Sequence, residues 1–205
     1  MNLTKSAAEY LQKQLGLSQD ETEVIRYGMQ AVFYSLAGIL TICFIGWLLG
    51  CFWTTVTVAL TAGSLRLLSG GAHSSSAVVC NLVGMVVAPL LAKTAEFAAK
   101  QVSQPQLLLI ITIGALFSLL IFYLLAPVDS AAKPITSEHE QRKFKYLSLT
   151  LASFLFVVQI ALTLLGRYPA FVLAVSLGSC WQAFTLTKAG HLIAAKIDHL
   201  LIRRC

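Results

Sequence analysis

The chain has 205 residues, of which 57% are hydrophobic and only 12% are charged, and its formal net charge is +6. A typical soluble domain has roughly 25% charged residues, so this chain lacks the polar surface that a water-soluble protein needs. The positive charge would suit nucleic acid, but the lysines and arginines lie between apolar runs rather than along one soluble face, which argues against nucleic acid as a partner.

The first elements in chain order are two helices. Residues 3–15 place leucines and alanines at helical spacing beside Lys5, Glu9 and Lys13, which predicts an amphipathic helix in the membrane interface over residues 1–17. Ser18 followed by Glu21 has the pattern of a capping box, so the next helix is predicted to begin there.

Apolar runs then recur along the chain. A hydrocarbon core of about 30 Å takes roughly 20 helical residues, and lipid leaves no partner for free backbone groups, so these runs are predicted to be helices. The predicted spans are residues 31–49, 52–65, 77–92, 106–126, 147–165 and 170–186. The fold class is therefore all-α: a polytopic membrane helical bundle of about six segments, forming a single membrane domain over residues 1–205.

The second and third spans are short and polar. The second is rich in threonine, and the third contains Asn81 and Pro89, so a tilted, broken or re-entrant path stays open for both.

The basic residues predict the orientation. With the N-terminus in the cytoplasm, twelve of the fifteen lysines and arginines fall in cytoplasmic segments, as the preference of short cytoplasmic loops requires. Both termini, the polar segment 64–80 and the basic loop 127–146 are then cytoplasmic in a multi-pass cell-membrane protein. Residues 188–205 are predicted to form a cytoplasmic amphipathic tail helix, although a simple positive stop after the last span explains them equally well.

Segment 64–80 contains the residues that could carry chemistry. A cysteine nucleophile needs thiolate character, which a nearby imidazole supplies by accepting the thiol proton, so His73 and Cys80 are the candidate catalytic pair. In one straight helix they would be about 10.5 Å apart along the axis, too far for a hydrogen bond. The chain must therefore bend between them.

Gly70 and Gly71 permit the backbone angles of such a bend, and serines 74–76 are residues that cap helices. We expect a glycine turn that carries His73, then a new helix with Cys80 about one turn after its start. The helix N–H groups, Ser74 and the Arg66 guanidinium would support a thiolate, an oxyanion or a substrate carboxylate. A purely structural histidine and cysteine is the alternative, and no zinc-type spacing occurs, so no metal or cofactor is predicted.

These residues resemble a known family, accessory gene regulator B (AgrB), the membrane cysteine endopeptidases of Gram-positive peptide quorum sensing. The family pattern is an arginine, paired glycines, a histidine and, seven positions later, a cysteine. It falls on Arg66, Gly70, Gly71, His73 and Cys80. A second family-like string, APVDSAAKPITSEHEQRKFK at residues 126–145, has the family's proline-and-aspartate turn, its Lys-Pro-Ile element and its basic cluster.

The resemblance implies that Cys80 cuts an AgrD-like propeptide between its signal segment and its acidic C-terminal tail. The signal segment would remain on Cys80 as a thioester, until a propeptide thiol displaces the enzyme and closes a thiolactone ring. The resemblance also implies a homodimer in the lipid bilayer.

The basic cluster Lys133, Arg142, Lys143 and Lys145 would attract that acidic tail by electrostatic steering, although a topology signal alone accounts for it as well. Asp129 is either a third catalytic member that orients the histidine or a turn residue.

Two alternatives to an enzyme stay open. Gln182 and Asn81 are polar residues within spans that either line the site or bond neighbouring helices. A non-enzymatic transporter or exporter of a small peptide would place Arg66, His73 and Gln182 along its path. A structural membrane partner would have no reactive thiol.

Overall fold

A computed structural model describes residues 2–72, 76–128 and 137–202, and this part of the chain forms eight α-helices. They are α1 (Asn2–Leu15), α2 (Gln19–Leu48), α3 (Phe52–Ser69), α4 (Ala77–Ala99), α5 (Gln104–Leu125), α6 (Glu138–Leu164), α7 (Pro169–Leu186) and α8 (Lys188–Ile202). The predicted all-α helical bundle, with a helix at each end of the chain, is confirmed.

Serine caps determine where two of the long helices begin. The Ser18 backbone N–H donates to Glu21 Oε2 at 2.9 Å and the Glu21 N–H donates to Ser18 Oγ at 3.3 Å, so the predicted capping box is present. Ser137 Oγ accepts from the Glu140 N–H at 3.1 Å and starts α6 at Glu138. The basic residues after Ser137 therefore lie on the first turns of α6, and the connection from α5 is shorter than the 127–146 loop expected from sequence.

Five helices of the described chain, α2, α4, α5, α6 and α7, are long and apolar enough to cross a membrane, and the protein is a multi-pass membrane protein. The predicted second span, α3, has 18 residues, about 27 Å of helix, but its four threonines and Arg66 lower its hydropathy. α3 and α4 are each one continuous helix, with Pro89 inside α4, so neither contains the break that the sequence left open.

Helix α7 is the centre of the bundle. More than half of its length is buried, and it packs against α3, α4, α5, α6 and α8. Its small residues allow this close approach: a Cβ on Gly178 would lie 3.1 Å from the Val58 carbonyl oxygen of α3. α2, in contrast, packs on α1, α3 and α4 and is about one-tenth buried, so it forms an outer wall.

The ends of α3, α5 and α7 and the starts of α4 and α6 meet at one end of the bundle, which we call the Gly70 end. Backbone hydrogen bonds join them there: Val128 N–H donates to the Ser69 carbonyl, and Ala72 N–H donates to the Thr185 carbonyl, both at 2.9 Å. A buried cluster of Leu65, Phe122, Ala126, Ala152, Ala183 and Leu186 supports this end from below. A second buried cluster around Val58, Ile111 and Val172 fills the opposite half.

Close packing of α2 on α3 predicts the outcome of one substitution. A Cβ on Gly46 would lie 2.8 Å from both Cβ and Oγ1 of Thr55, whose side chain is fully buried. We expect Gly46→Ala to destabilise the protein by about 1–3 kcal/mol through overpacking, measured by thermal unfolding in detergent micelles.

Gly28→Ala, on the same helix, is the matched control, since open space surrounds Gly28. It should be neutral or stabilise by up to about 1 kcal/mol through helix propensity. Equal effects of the two substitutions would contradict the packing described here.

Candidate active site

A glycine turn follows α3 at the Gly70 end. Gly70 and Gly71 have φ values of +68° and +130°, as the predicted bend requires, and Gly70 N–H donates to the Arg66 carbonyl at 2.9 Å. Gly70 also forms an isolated parallel bridge with Val128. A Cβ on Gly70 would collide with the Val128 carbonyl oxygen, so both the backbone angle and the close approach require glycine.

The Gln182 amide holds this turn. Gln182 is 1% exposed, and its Nε2 donates to Ser69 Oγ at 3.0 Å and to the Gly70 carbonyl at 2.7 Å. Thr185 Oγ1 donates to the Gln182 carbonyl at 2.8 Å, one turn further along α7. We call Ser69, Gly70, Gln182 and Thr185 the turn cluster. The last backbone groups of a helix have no hydrogen-bond partner within that helix, and the turn cluster supplies partners for them at the end of α3.

Arg66 reaches past the turn. Its side chain is half-buried, and Nη2 donates to the carbonyl of Ala72, the last described residue before His73. The guanidinium therefore ties the far side of the turn back to α3. Its predicted role toward a thiolate or a substrate carboxylate stays a prediction.

Cys80 lies at the start of α4. Ser76 is the N-cap residue, with extended backbone, and the Cys80 N–H donates to the Ser76 carbonyl at 3.1 Å. Cys80 is thus one turn into a new helix, as the sequence predicts, and its side chain is half-buried. Cys80 is the fourth residue of α4, and the positive end of a helix dipole lies at its first turn.

Cys80 lines a cavity of about 400 Å³ bounded by α2, α3, α4, α7 and α8. The cavity is also lined by Arg66, Ala72, Gln182 and Asp198, and most of its other lining residues are apolar. This is the Cys80 cavity. The structure therefore brings Arg66 and Cys80, 14 positions apart in sequence, to one cavity.

A second cavity of about 990 Å³ lies between α2, α3 and the start of α6. Arg66 borders both cavities, and Gly70, Val128 and Phe144 border the second one. The two family-like strings, far apart in sequence, thus meet at the Gly70 end of the bundle.

Four of the predicted site residues, His73, Ser74, Asp129 and Lys133, lie outside the described residues. The predicted contact between His73 and Cys80 accordingly stays a prediction.

The other basic residues of the predicted tail-binding cluster lie on α6. Arg142 Nη2 is 3.4 Å from Glu138 Oε2 in an exposed ion pair, and Lys145 Nζ is 4.6 Å from the centre of the Tyr123 ring. Lys143 is exposed. Arg142 and Lys143 are exposed and Lys145 is half-buried, and Arg142 and Lys145 already contact other side chains of this protein.

The sequence left open whether Asn81 and Gln182 line the site or bond neighbouring helices. Each residue lines the Cys80 cavity and also forms a hydrogen bond with a neighbouring helix. Asn81 Nδ2 donates to the Tyr34 carbonyl of α2 at 2.8 Å, and it also lines the Cys80 cavity, as does Gln182. Sequence reasoning missed Ser69, Thr185 and Asp198. Helical spacing could have indicated Asp198, because residues 190, 193, 194, 197 and 198 lie on one face of α8.

Comparisons with known proteins agree over almost the whole chain. The sequence model of the family described as accessory gene regulator B matches residues 4–186. A putative AgrB-like protein of Clostridium perfringens strain SM101 is 30% identical over 96% of this chain and 95% of its own length. The accessory gene regulator protein B of Staphylococcus intermedius is 31% identical over 86% of this chain and 87% of its own. No solved structure matches.

The hydrogen bonds of Gln182 predict that substitution by leucine affects stability differently at Gln182 and at Gln159, which are both buried. Gln182→Leu removes the donor to Ser69 and Gly70 and should destabilise the protein by about 1–3 kcal/mol in thermal unfolding. Gln159→Leu is the matched control: Gln159 is 4% exposed, its Oε1 has no partner among the described residues, and its Nε2 reaches only the Leu155 carbonyl at 3.2 Å. That variant should be neutral or more stable, and a reversed order would contradict the role of Gln182.

The glycine turn makes a second prediction. Gly70 and Gly50 both have positive φ, +68° and +66°, but nothing lies within 4 Å of a Cβ built on Gly50. Both alanine variants should lose about 1–3 kcal/mol, because a positive φ is unfavourable for a residue with a Cβ. Gly70→Ala should lose clearly more because it also displaces Val128, which unfolding midpoints in detergent would show.

Proposed function

The chain belongs to the accessory gene regulator B family of quorum sensing, and from that premise we propose that it is a membrane cysteine endopeptidase with Cys80 as nucleophile. Its substrate is an AgrD-like propeptide, from which it removes the C-terminal tail. The observation that carries the proposal is Cys80 itself: half-buried, one turn into α4, and on the wall of a cavity that Arg66 and Ala72 also line.

The first half of the reaction forms a thioester. His73 accepts the Cys80 thiol proton, and the thiolate attacks the carbonyl carbon between the signal segment and the tail. When the tetrahedral intermediate collapses, the C–N bond breaks and the imidazolium gives its proton to the departing amine of the tail. The signal segment is then held on Cys80 sulfur.

The second half releases the product. A thiol of the propeptide loses its proton to the imidazole and attacks the thioester carbonyl, which expels the Cys80 thiolate and closes the thiolactone. One thiolate replaces another, so ring closure needs no external energy source. An apolar cavity wall favours this outcome over hydrolysis because it limits the access of water.

The hydrogen bonds at the start of α4 limit which backbone N–H groups can bind the oxyanion of the tetrahedral intermediate. The Cys80 N–H is already bonded to the Ser76 carbonyl at 3.1 Å. An oxyanion must then be held by an earlier N–H of the first turn, where the helix supplies no acceptor, and Val79 lines the cavity. The Arg66 guanidinium supplies positive charge beside the same cavity.

The substrate chemistry fits both ends of the site. The largely apolar cavity walls suit the hydrophobic side chains of a signal segment, and the exposed cations on the first turns of α6, Arg142 and Lys143, suit an acidic tail. Lys133 belongs to the same proposed tail contact.

The proposal places this chemistry on the cytoplasmic side of the cell membrane, in a homodimer with cytoplasmic termini. The lysines and arginines support this side: the Gly70 end has Arg66, Arg142, Lys143 and Lys145, whereas the opposite end has only Lys93, Lys100 and Arg167 within the described chain.

Purified protein in lipid vesicles, mixed with an AgrD-like propeptide that has an acidic tail, tests the proposal by mass spectrometry of the released tail. Cys80→Ala should abolish release, because the thioester cannot form, and Cys43→Ala should leave it unchanged. His73→Gln should lower the rate by about 100-fold or more, the usual contribution of a general base, whereas His139→Gln on exposed α6 should not.

Release that continues in Cys80→Ala would refute the nucleophile. A thioester between the signal segment and the Cys80 peptide, cleaved by hydroxylamine, would support it directly.

A further inference from the structure

Helices α2 and α3 separate as they approach the Gly70 end. They are in close contact near their connection, where a Cβ on Gly46 would lie 2.8 Å from Thr55 Cβ. Further along, α2 packs on α4 instead, and the Asn81 amide of α4 donates to a backbone carbonyl of α2 at 2.8 Å. On α3, a Cβ on Gly63 would meet no atom within 4 Å. A gap between α2 and α3 therefore opens toward the Gly70 end.

The Cys80 cavity and the second cavity lie on either side of this gap. Their linings share five residues, all on α2 or α3: Ser35, Ile42, Ala59, Gly63 and Arg66. The second cavity extends along α3 from Val56 to Gly70, about 21 Å of helix, and most of its lining is apolar. The two cavities are therefore adjacent, and Gly63, which has no side chain, is part of the wall between them.

The second cavity is open toward the lipid. Three of its lining residues have exposed side chains: Ile39 is 58% exposed, Leu60 is 68% exposed and Leu67 is 80% exposed. Helix α2 is long and apolar enough to cross the membrane and only about one-tenth of it is buried, so exposed apolar side chains in its middle face lipid. An apolar chain in the bilayer can therefore reach the second cavity without passing through water.

The two parts of the proposed substrate prefer different surroundings. An apolar segment partitions into the membrane, whereas the charges of an acidic tail are costly in hydrocarbon and stay in water. The peptide bond between them then lies where the substrate leaves the membrane. The structure has a matching boundary, because Phe144 lines the second cavity and is next to the exposed cations Arg142 and Lys143 on the first turns of α6.

We propose that the propeptide reaches Cys80 sideways from the membrane, with its apolar signal segment bound in the second cavity and its chain passing between α2 and α3 beside Gly63. This route rests on the proposed function and adds the surface that receives the substrate. The acidic tail stays at the Gly70 end, beside Arg142 and Lys143.

The polar groups of the gap favour a peptide over a lipid chain as the occupant. Ser35 and Arg66 belong to the lining that both cavities share. A hydroxyl oxygen accepts hydrogen bonds and a guanidinium donates them, so these side chains suit the N–H and C=O groups of a peptide backbone. The acyl chain of a phospholipid has no polar group to match them.

Photo-cross-linking tests where the substrate binds. The Cys80→Ala variant of the full chain, which leaves the propeptide intact, receives p-benzoylphenylalanine at Leu60 or at Leu116 and is mixed in lipid vesicles with an AgrD-like propeptide that has an acidic tail. Leu116 of α5 is the matched control, since it is 63% exposed but lines neither cavity. Light should join the propeptide to position 60 and not to position 116.

The identity of the adducts decides between occupants. Adducts of position 60 with phospholipid alone, or with a second copy of this chain, overturn the route, as do propeptide adducts of equal yield at both positions.

A larger side chain in the gap provides a second readout. Gly63→Leu should lower kcat/KM for tail release in vesicles about tenfold or more, because substrate entry contributes to this constant. Gly28→Leu is the matched control: open space also surrounds Gly28, which lines neither cavity, so release should stay at the wild-type rate. Unfolding midpoints in detergent show whether both variants fold, and if Gly63→Leu does not, the cross-linking result decides alone.

The route and the proposed function fail in different ways. Wild-type protein that releases no tail refutes the proposed function. Wild-type release together with a folded Gly63→Leu variant that works at the wild-type rate refutes only the route between α2 and α3.

Discussion

The site depends on how the protein satisfies backbone polar groups where α3 stops inside a mainly apolar bundle. Water is scarce there, so each carbonyl that leaves the helix needs a partner from the protein. The buried Gln182 amide supplies it by donating to Ser69 Oγ and to the Gly70 carbonyl, and Val128 and Thr185 pair with the backbone on either side. These contacts define the path of the chain from Ser69 to Ala72.

The same constraint explains the buried polar residues at the Gly70 end of the bundle. α7 occupies the centre, and its last two turns carry the amide and hydroxyl groups that receive the glycine turn. An apolar cluster occupies much of the far half. A well-packed apolar support beneath the polar turn keeps the groups of the turn aligned, as any preorganised site requires.

Two cavities lie beside the glycine turn. Arg66 borders both, its guanidinium holds Ala72, and Cys80 opens onto the smaller one. Helix α8, which follows the part matched by the family model, lines that smaller cavity with one face that includes Asp198. Five helices therefore line the Cys80 cavity, although the family-like motif from Arg66 to Cys80 lies within fifteen residues.

Sequence alone determined the helical class, the capping box at Ser18, the bend at Gly70 and the start of a new helix before Cys80. These follow from hydropathy, short-range hydrogen bonding and backbone sterics, which are local and can be read from neighbouring residues. Only the tertiary structure decided that Gln182 holds the turn and that Asp198 lines the same cavity as the cysteine. Both arrangements join residues more than 100 positions apart, and their partners are selected by helix packing, which no local pattern encodes.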